Sequence, residues 1–76
     1  MRIEILGTGC PKCRRLAENA AQAVELLGVD ADIVKVTEIQ EIIKRGVMMT
    51  PALAVDGEVK SVGKVLSADD IKNLLG

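Results

Sequence analysis

Cys10 and Cys13 are the two cysteines of the chain, and only Pro11 and Lys12 separate them. No histidine is present, so these thiols are the residues best equipped for nucleophilic or soft-metal chemistry. A pair at this spacing has three possible uses. The sulfurs can close a small disulfide ring and take part in thiol–disulfide exchange. Two thiolates can hold a soft ion such as Cu(I). Both can also be small apolar side chains buried in a core. A structural zinc site needs four ligands, and one chain offers two cysteines and no histidine. Two cysteines are also too few for a disulfide-stapled secreted scaffold, and in a reducing compartment the pair reads as redox or metal chemistry.

The neighbouring sequence decides among these uses. Arg2 to Leu6 alternates as a short strand, Gly7-Thr8-Gly9 breaks it, and a helix pattern follows from Pro11 to Leu27. Cys10 is thus expected just ahead of a helix, beside unpaired backbone N–H groups and the positive end of the helix dipole. Both favour a thiolate, and cysteines in such settings have pKa values lowered from about 8.5 into roughly the 3.5–7.5 range. Lys12 adds a positive charge. The expected mechanism has Cys10, the more exposed sulfur, attacking a target disulfide, and Cys13 resolving the mixed disulfide that results.

The elements that must hold this segment can be read along the chain. The first helix carries an inward stripe of Cys13, Leu16, Ala17, Ala20, Val24 and Leu27, with Pro11 suited to its first position and Gly28 to its C-terminal cap. Ala31 to Val36 is a second strand, apolar on both faces and so expected in the sheet interior. Thr37-Glu38-Ile39-Gln40 fits a capping box opening a helix that carries Ile39, Ile42 and Ile43 and stops at Gly46. After the Val47–Pro51 loop come strands at 52–55 and 58–62, joined by the hairpin signal Asp56-Gly57. Ser67 caps a last helix with Ile71, Leu74 and Leu75 facing inward. The predicted order is βαβαββα, an α/β fold whose first βαβ unit has a right-handed crossover.

Composition narrows the partners. The 76 residues point to one domain spanning 1–76, and a chain this short buries only about 60–65% of the surface it exposes when unfolded. Apolar residues make up 49%, with no Phe, Tyr or Trp, so the core must be aliphatic. The net charge is −1, and neither sign forms a long block. There is no basic face or stacking platform of the kind nucleic-acid binding uses, and no apolar run approaches the ~20 residues of a membrane span. The first residues do not read as a signal peptide, because Glu4 interrupts a short apolar stretch. The expectation is a cytoplasmic monomer with no nucleic-acid or membrane partner.

A strand, Gly7-Thr8-Gly9-Cys10-Pro11-Lys12-Cys13, a long helix, and Thr50-Pro51 leading into a hairpin together resemble the thioredoxin/glutaredoxin-like superfamily. The likeness is strongest to its very small archaeal and bacterial thioredoxin-like members. It extends over the whole chain. It implies a four-stranded sheet of order 2-1-3-4 flanked by three helices, a cis Pro51 beside the cysteines, and a Thr50 backbone that pairs with the substrate chain. It also implies reduction of protein disulfides without a cofactor, fed by an electron donor such as a thioredoxin reductase or a low-molecular-weight thiol. Taken without the resemblance, Thr50-Pro51 is an ordinary loop leading into a strand. Gly9 stands where thioredoxins usually carry a Trp, and Pro11-Lys12 replaces Gly-Pro between the cysteines. Glutaredoxins have a glutathione-gripping polar set that cannot be mapped onto Lys64 or Asp69. Glu4 lies six residues before Cys10, where thioredoxins carry a buried proton-transferring acid; its plainer reading is a solvated or salt-bridged strand residue.

Three further features have two readings each. Met48 and Met49 could form a flexible apolar lip beside the sulfurs or fill the core. Lys12 with Arg14-Arg15 could form a positive rim, although a solvated helix face accounts for the arginines. The same C-x-x-C could instead bind Cu(I) or share an iron–sulfur cluster between two chains. Small copper-chaperone domains begin similarly, but run βαββαβ and end on a strand.

Overall fold

The computed structural model describes residues 1–75 of the chain. Among these, strands β1 (Arg2–Leu6), β2 (Asp32–Val36), β3 (Ala52–Val55) and β4 (Glu58–Val62) alternate with helices α1 (Pro11–Leu27), α2 (Ile39–Lys44) and α3 (Ala68–Leu75). The sheet order is β2-β1-β3-β4. β1 runs parallel to β2, with Ile3 opposite Ile33, and antiparallel to β3, with Ile5 opposite Leu53. β3 and β4 form an antiparallel hairpin through Asp56 and Gly57, whose φ values of 51° and 86° give the backbone sense that a two-residue hairpin requires.

Strand periodicity sorts the core into two layers. Ile3 and Ile5 point to one face, where they meet Leu16, Ala17, Ala20 and Ala23 of α1, Ile71 of α3 and Leu53 of β3. Leu6 points to the other face and packs with Ile42, Val47, Ala52 and Ala54. Thus α1 and α3 cover one side of the sheet and α2 the other. The small side chains of α1 let the helix lie close on the sheet, as an aliphatic core without rings requires.

Several expectations change. β2 is an edge strand, not an interior one; its two apolar faces arise because Ile33 and Val36 reach the two separate core layers. The capping box at Thr37–Gln40 does not form: Glu38 is the N-cap of α2 and no side chain caps it. Of the three isoleucines on that helix only Ile42 is buried, while Ile39 and Ile43 are 61% and 58% exposed. The i, i+3, i+4 spacing puts all three on one face of the helix, but only the middle of that face, at Ile42, meets the core formed by Leu6, Val47, Ala52 and Ala54. On α1 the stripe includes Ala23, with Val24 and Leu27 only half-buried; on α3 Ile71 is buried and Leu74 is exposed. The Ser67 cap is present, its hydroxyl accepting the Asp70 N–H at 3.1 Å.

Candidate active site

α1 begins immediately after Cys10, and Cys10 itself is the N-cap residue, with φ −66° and ψ 165°. Its sulfur occupies the place of a capping oxygen and accepts the backbone N–H of Cys13 at 3.4 Å. One helical turn carries Cys13 back toward it, so the two sulfurs are 2.7 Å apart. Their surroundings differ. Cys10 is half-buried and Cys13 is buried. The Cys13 thiol hydrogen-bonds the Cys10 sulfur and, with the backbone N–H groups of Cys13 and Lys12, holds the Cys10 pKa below the ordinary thiol value. Burial pushes the Cys13 pKa up, and its contact with Cys10 adds to the rise. The first turn of α1 contains no acid that would oppose a thiolate at Cys10.

Gly7, at the end of β1, is what makes room for the second sulfur. A Cβ on Gly7 would collide with Cys13 Sγ and would lie 3.8 Å from Thr50 Cβ. Its N–H donates to the Val36 carbonyl at 2.9 Å, which fixes the backbone at that point. Gly7 therefore stands between the cysteine turn and the Thr50-Pro51 segment. The sequence marked it only as the end of a strand; its position three residues before Cys10 was the signal available. The Thr50–Pro51 peptide bond is cis. Pro51 is fully buried and its carbonyl accepts the Gly63 N–H at 2.8 Å, whereas Thr50 is exposed beside the cysteines.

The loop at residues 7–10 divides two unlike surfaces. On the α1 side an opening of about 160 Å³ reaches Cys13 and is bordered by Ile5, Gly7, Gly9, Arg14, Lys35 and Thr37. On the α2 side a groove of about 320 Å³ runs between Thr8 and Thr50 and is lined by Ile39, Ile43 and Met48. Met48 and Met49 are 86% and 64% exposed, so neither is core filling, although Met49 packs on Gly63. Pro11, Lys12, Arg14 and Arg15 are all exposed around the thiol end of α1.

Glu4 shares the sheet face of Leu6 and is buried against α2's side of the molecule. Arg45, directly after α2, grips its carboxylate with two hydrogen bonds of 2.8 and 2.7 Å, and Arg2 lies 4.0 Å away. Those hydrogen bonds hold the Glu4 carboxyl below the ordinary glutamate range, against the opposing effect of burial. Arg45 was not legible as a partner, because 41 residues separate the two and no spacing rule joins them.

Among the described residues no group of three or more His, Cys, Asp or Glu gathers that could hold a metal ion, and no helix is long and apolar enough to cross a membrane. The described elements run βαβαββα, with a helix between the second and third strands, unlike the βαββαβ order of copper-chaperone domains.

A family profile described as "Thioredoxin domain" matches residues 1–76. The chain is 47% identical over 75 residues to a protein named thioredoxin from Methanothermobacter thermautotrophicus, covering 99% of this chain and 97% of that one. It is 49% identical over 73 residues to a protein named thioredoxin from Methanocaldococcus jannaschii, covering 96% of this chain and 84% of that one.

Proposed function

Since this chain belongs to the thioredoxin family and is a thiol–disulfide oxidoreductase, we propose that Cys10 attacks the target disulfide and that Cys13 resolves the intermediate. The observation that carries this reading is the asymmetry of two sulfurs in contact: one half-exposed with a lowered pKa, the other buried with a raised one.

The Cys10 thiolate attacks one sulfur of the target, and the second target sulfur leaves as a thiolate. Cys13 then gives up its proton, attacks Cys10 Sγ, and displaces the first target sulfur. The target gains two electrons and the pair becomes the Cys10–Cys13 disulfide. No cofactor takes part. Burial keeps Cys13 protonated and unreactive until the mixed disulfide has formed, which separates the two steps. Pro11 sets the helix start, Lys12 supplies a backbone N–H to the Cys10 sulfur, and Thr50-Pro51 forms the opposite wall, where an extended target strand pairs with the Thr50 backbone. The substrates are protein disulfides. The electron donor is a reductase of the thioredoxin-reductase kind or a small thiol, and the protein acts as a cytoplasmic monomer.

Glu4 serves as the buried counter-ion of Arg45 and not as a proton carrier. A carboxylate held by two guanidinium hydrogen bonds is a poor acceptor near neutral pH. The opening on the α1 side instead gives water a path to the Cys13 proton.

The roles are tested by reduction of a protein disulfide with dithiothreitol as donor, using wild type, Cys10→Ser and Cys13→Ser. The expected result is loss of turnover in Cys10→Ser and trapped mixed disulfide in Cys13→Ser. Full activity in Cys10→Ser would contradict the assignment.

A further inference from the structure

The basic side chains of this protein are unevenly satisfied. Arg2, Lys44, Arg45 and Lys60 each lie within 4.0 Å of an acid. Among the described residues, Lys12, Arg14, Arg15, Lys35, Lys64 and Lys72 have no such partner, and the first four of these are exposed toward the cysteine end of the molecule. These four come from two elements. Lys12, Arg14 and Arg15 occupy the start of α1, while Lys35 of β2 meets Arg14 across the opening beside Cys13. Glu18 borders Arg14 and Arg15 on the outer face of α1, and Lys35 also borders Glu38 and Glu41 on its other side, so the positive surplus lies mainly at the start of α1.

This arrangement works against stability. Cations near a helix N-terminus oppose the dipole, and these cations also repel one another. Nor do they account for the reactivity of Cys10, whose environment is set by the Cys13 thiol and backbone N–H groups. The net charge of the chain is −1, so the positive surface is local and not a consequence of a basic protein. Across the 7–10 loop the α2-side groove is lined without any charged residue, which makes the two approaches to the thiol electrostatically distinct.

We propose that Lys12, Arg14, Arg15 and Lys35 form a docking rim that recruits disulfide-bearing partner proteins through an acidic segment next to their disulfide. The proposal rests on Cys10 being the attacking thiol. The rim draws the acidic segment to the α1 side and leaves the apolar groove for the rest of the target strand. Complementary charge of this kind mainly raises the association rate, by a factor of about 10–1,000 at low ionic strength.

The test uses three synthetic peptides with the same disulfide loop, flanked by pairs of Asp, Ser or Lys. Pre-reduced protein is mixed with each in single turnover, and second-order rate constants are measured at about 0.01 M and about 1 M salt, where the screening length falls from about 30 Å to about 3 Å. The Asp-flanked peptide is expected to react at least about tenfold faster than the Lys-flanked one at low salt, and the difference is expected to collapse at high salt. The double variant Arg14→Ser/Arg15→Ser should lose most of this preference, while Lys72→Ser on α3 should keep it; circular dichroism verifies that both are folded. Equal rates for all three peptides at low salt would overturn the rim, as would a preference that survives in the double variant. Equal slowing of all three peptides in that variant would also overturn it, because it would show an effect on the thiolate and not on docking. No reaction with any peptide would contradict the assignment of Cys10 itself.

Discussion

At the scale of residues, the chemistry depends on contrasts between near neighbours. Cys10 and Cys13 are chemically identical, and one turn of helix places one sulfur at the cap and the other buried against Gly7 at the end of β1. Gly7 sets where the buried sulfur can lie. Gly7→Ala is expected to leave attack by Cys10 within a few-fold of wild type but to displace Cys13 and lengthen the life of the mixed disulfide, with a stability loss of about 1–3 kcal/mol from overpacking. Rapid-quench mass spectrometry measures that lifetime, and an unchanged value would remove Gly7 from the positioning of Cys13. Glu4 gives a second prediction. Its folded pKa is depressed, so its contribution to stability is complete above the ordinary glutamate value of about 4.3 and is lost as pH falls through the lower folded value. Glu4→Gln should be less stable at neutral pH and should lack that part of the acid sensitivity seen in wild type. Its exchange rate should keep the wild-type pH profile; a changed profile would return Glu4 to proton transfer. The C-x-x-C and the place of Cys10 at a helix start were legible in the sequence because helix-start signals are local. The Glu4–Arg45 pair and the space under Gly7 were not, since both depend on contacts between segments far apart in the chain.

At the scale of elements, β1 and α1 were legible to the residue because alternation, the Gly7-Thr8-Gly9 break, Pro11 and Gly28 all agree. α2 was misread because Ile39, Ile42 and Ile43 look like an inward stripe, yet six residues bury only one of them. Substitution separates these roles. Ile42→Ala should cost about 2–5 kcal/mol, whereas Ile39→Ser should change stability by no more than about 0.5 kcal/mol, both measured by urea unfolding followed by circular dichroism. A large loss from Ile39→Ser would mean that α2 packs differently. The edge placement of β2 came with the sheet order that the resemblance implies and not with the strand's own pattern, because a strand covered by helices on both faces looks equally apolar at an edge and at the centre.

At the scale of the whole molecule, the protein solves the packing problem of a 76-residue chain with aliphatic side chains alone, in two thin layers on a central β1–β3 pair. Leu53 of β3 lies fully buried at that centre. Leu53→Ala should remove about 2–5 kcal/mol, a large share of the roughly 5–15 kcal/mol that holds a domain folded. A denaturation midpoint close to wild type would show that the core does not depend on this layer. The overall order βαβαββα was readable from periodicity, while the sheet order came with the family resemblance and not with the spacing of residues. What the complete fold adds is sidedness: the loop bearing Cys10 has a cationic approach on the α1 face and an apolar one on the α2 face.

On the proposed mechanism Cys10 is the half-exposed, low-pKa attacker and Cys13 the buried thiol held in reserve. Alkylation of the reduced protein by iodoacetamide across pH, with each site followed by mass spectrometry, tests it most directly. Cys10 should react first, with a midpoint below the ordinary thiol value of about 8.5, and Cys13 should lag at every pH. Faster labelling of Cys13, or equal midpoints for the two thiols, would contradict the account.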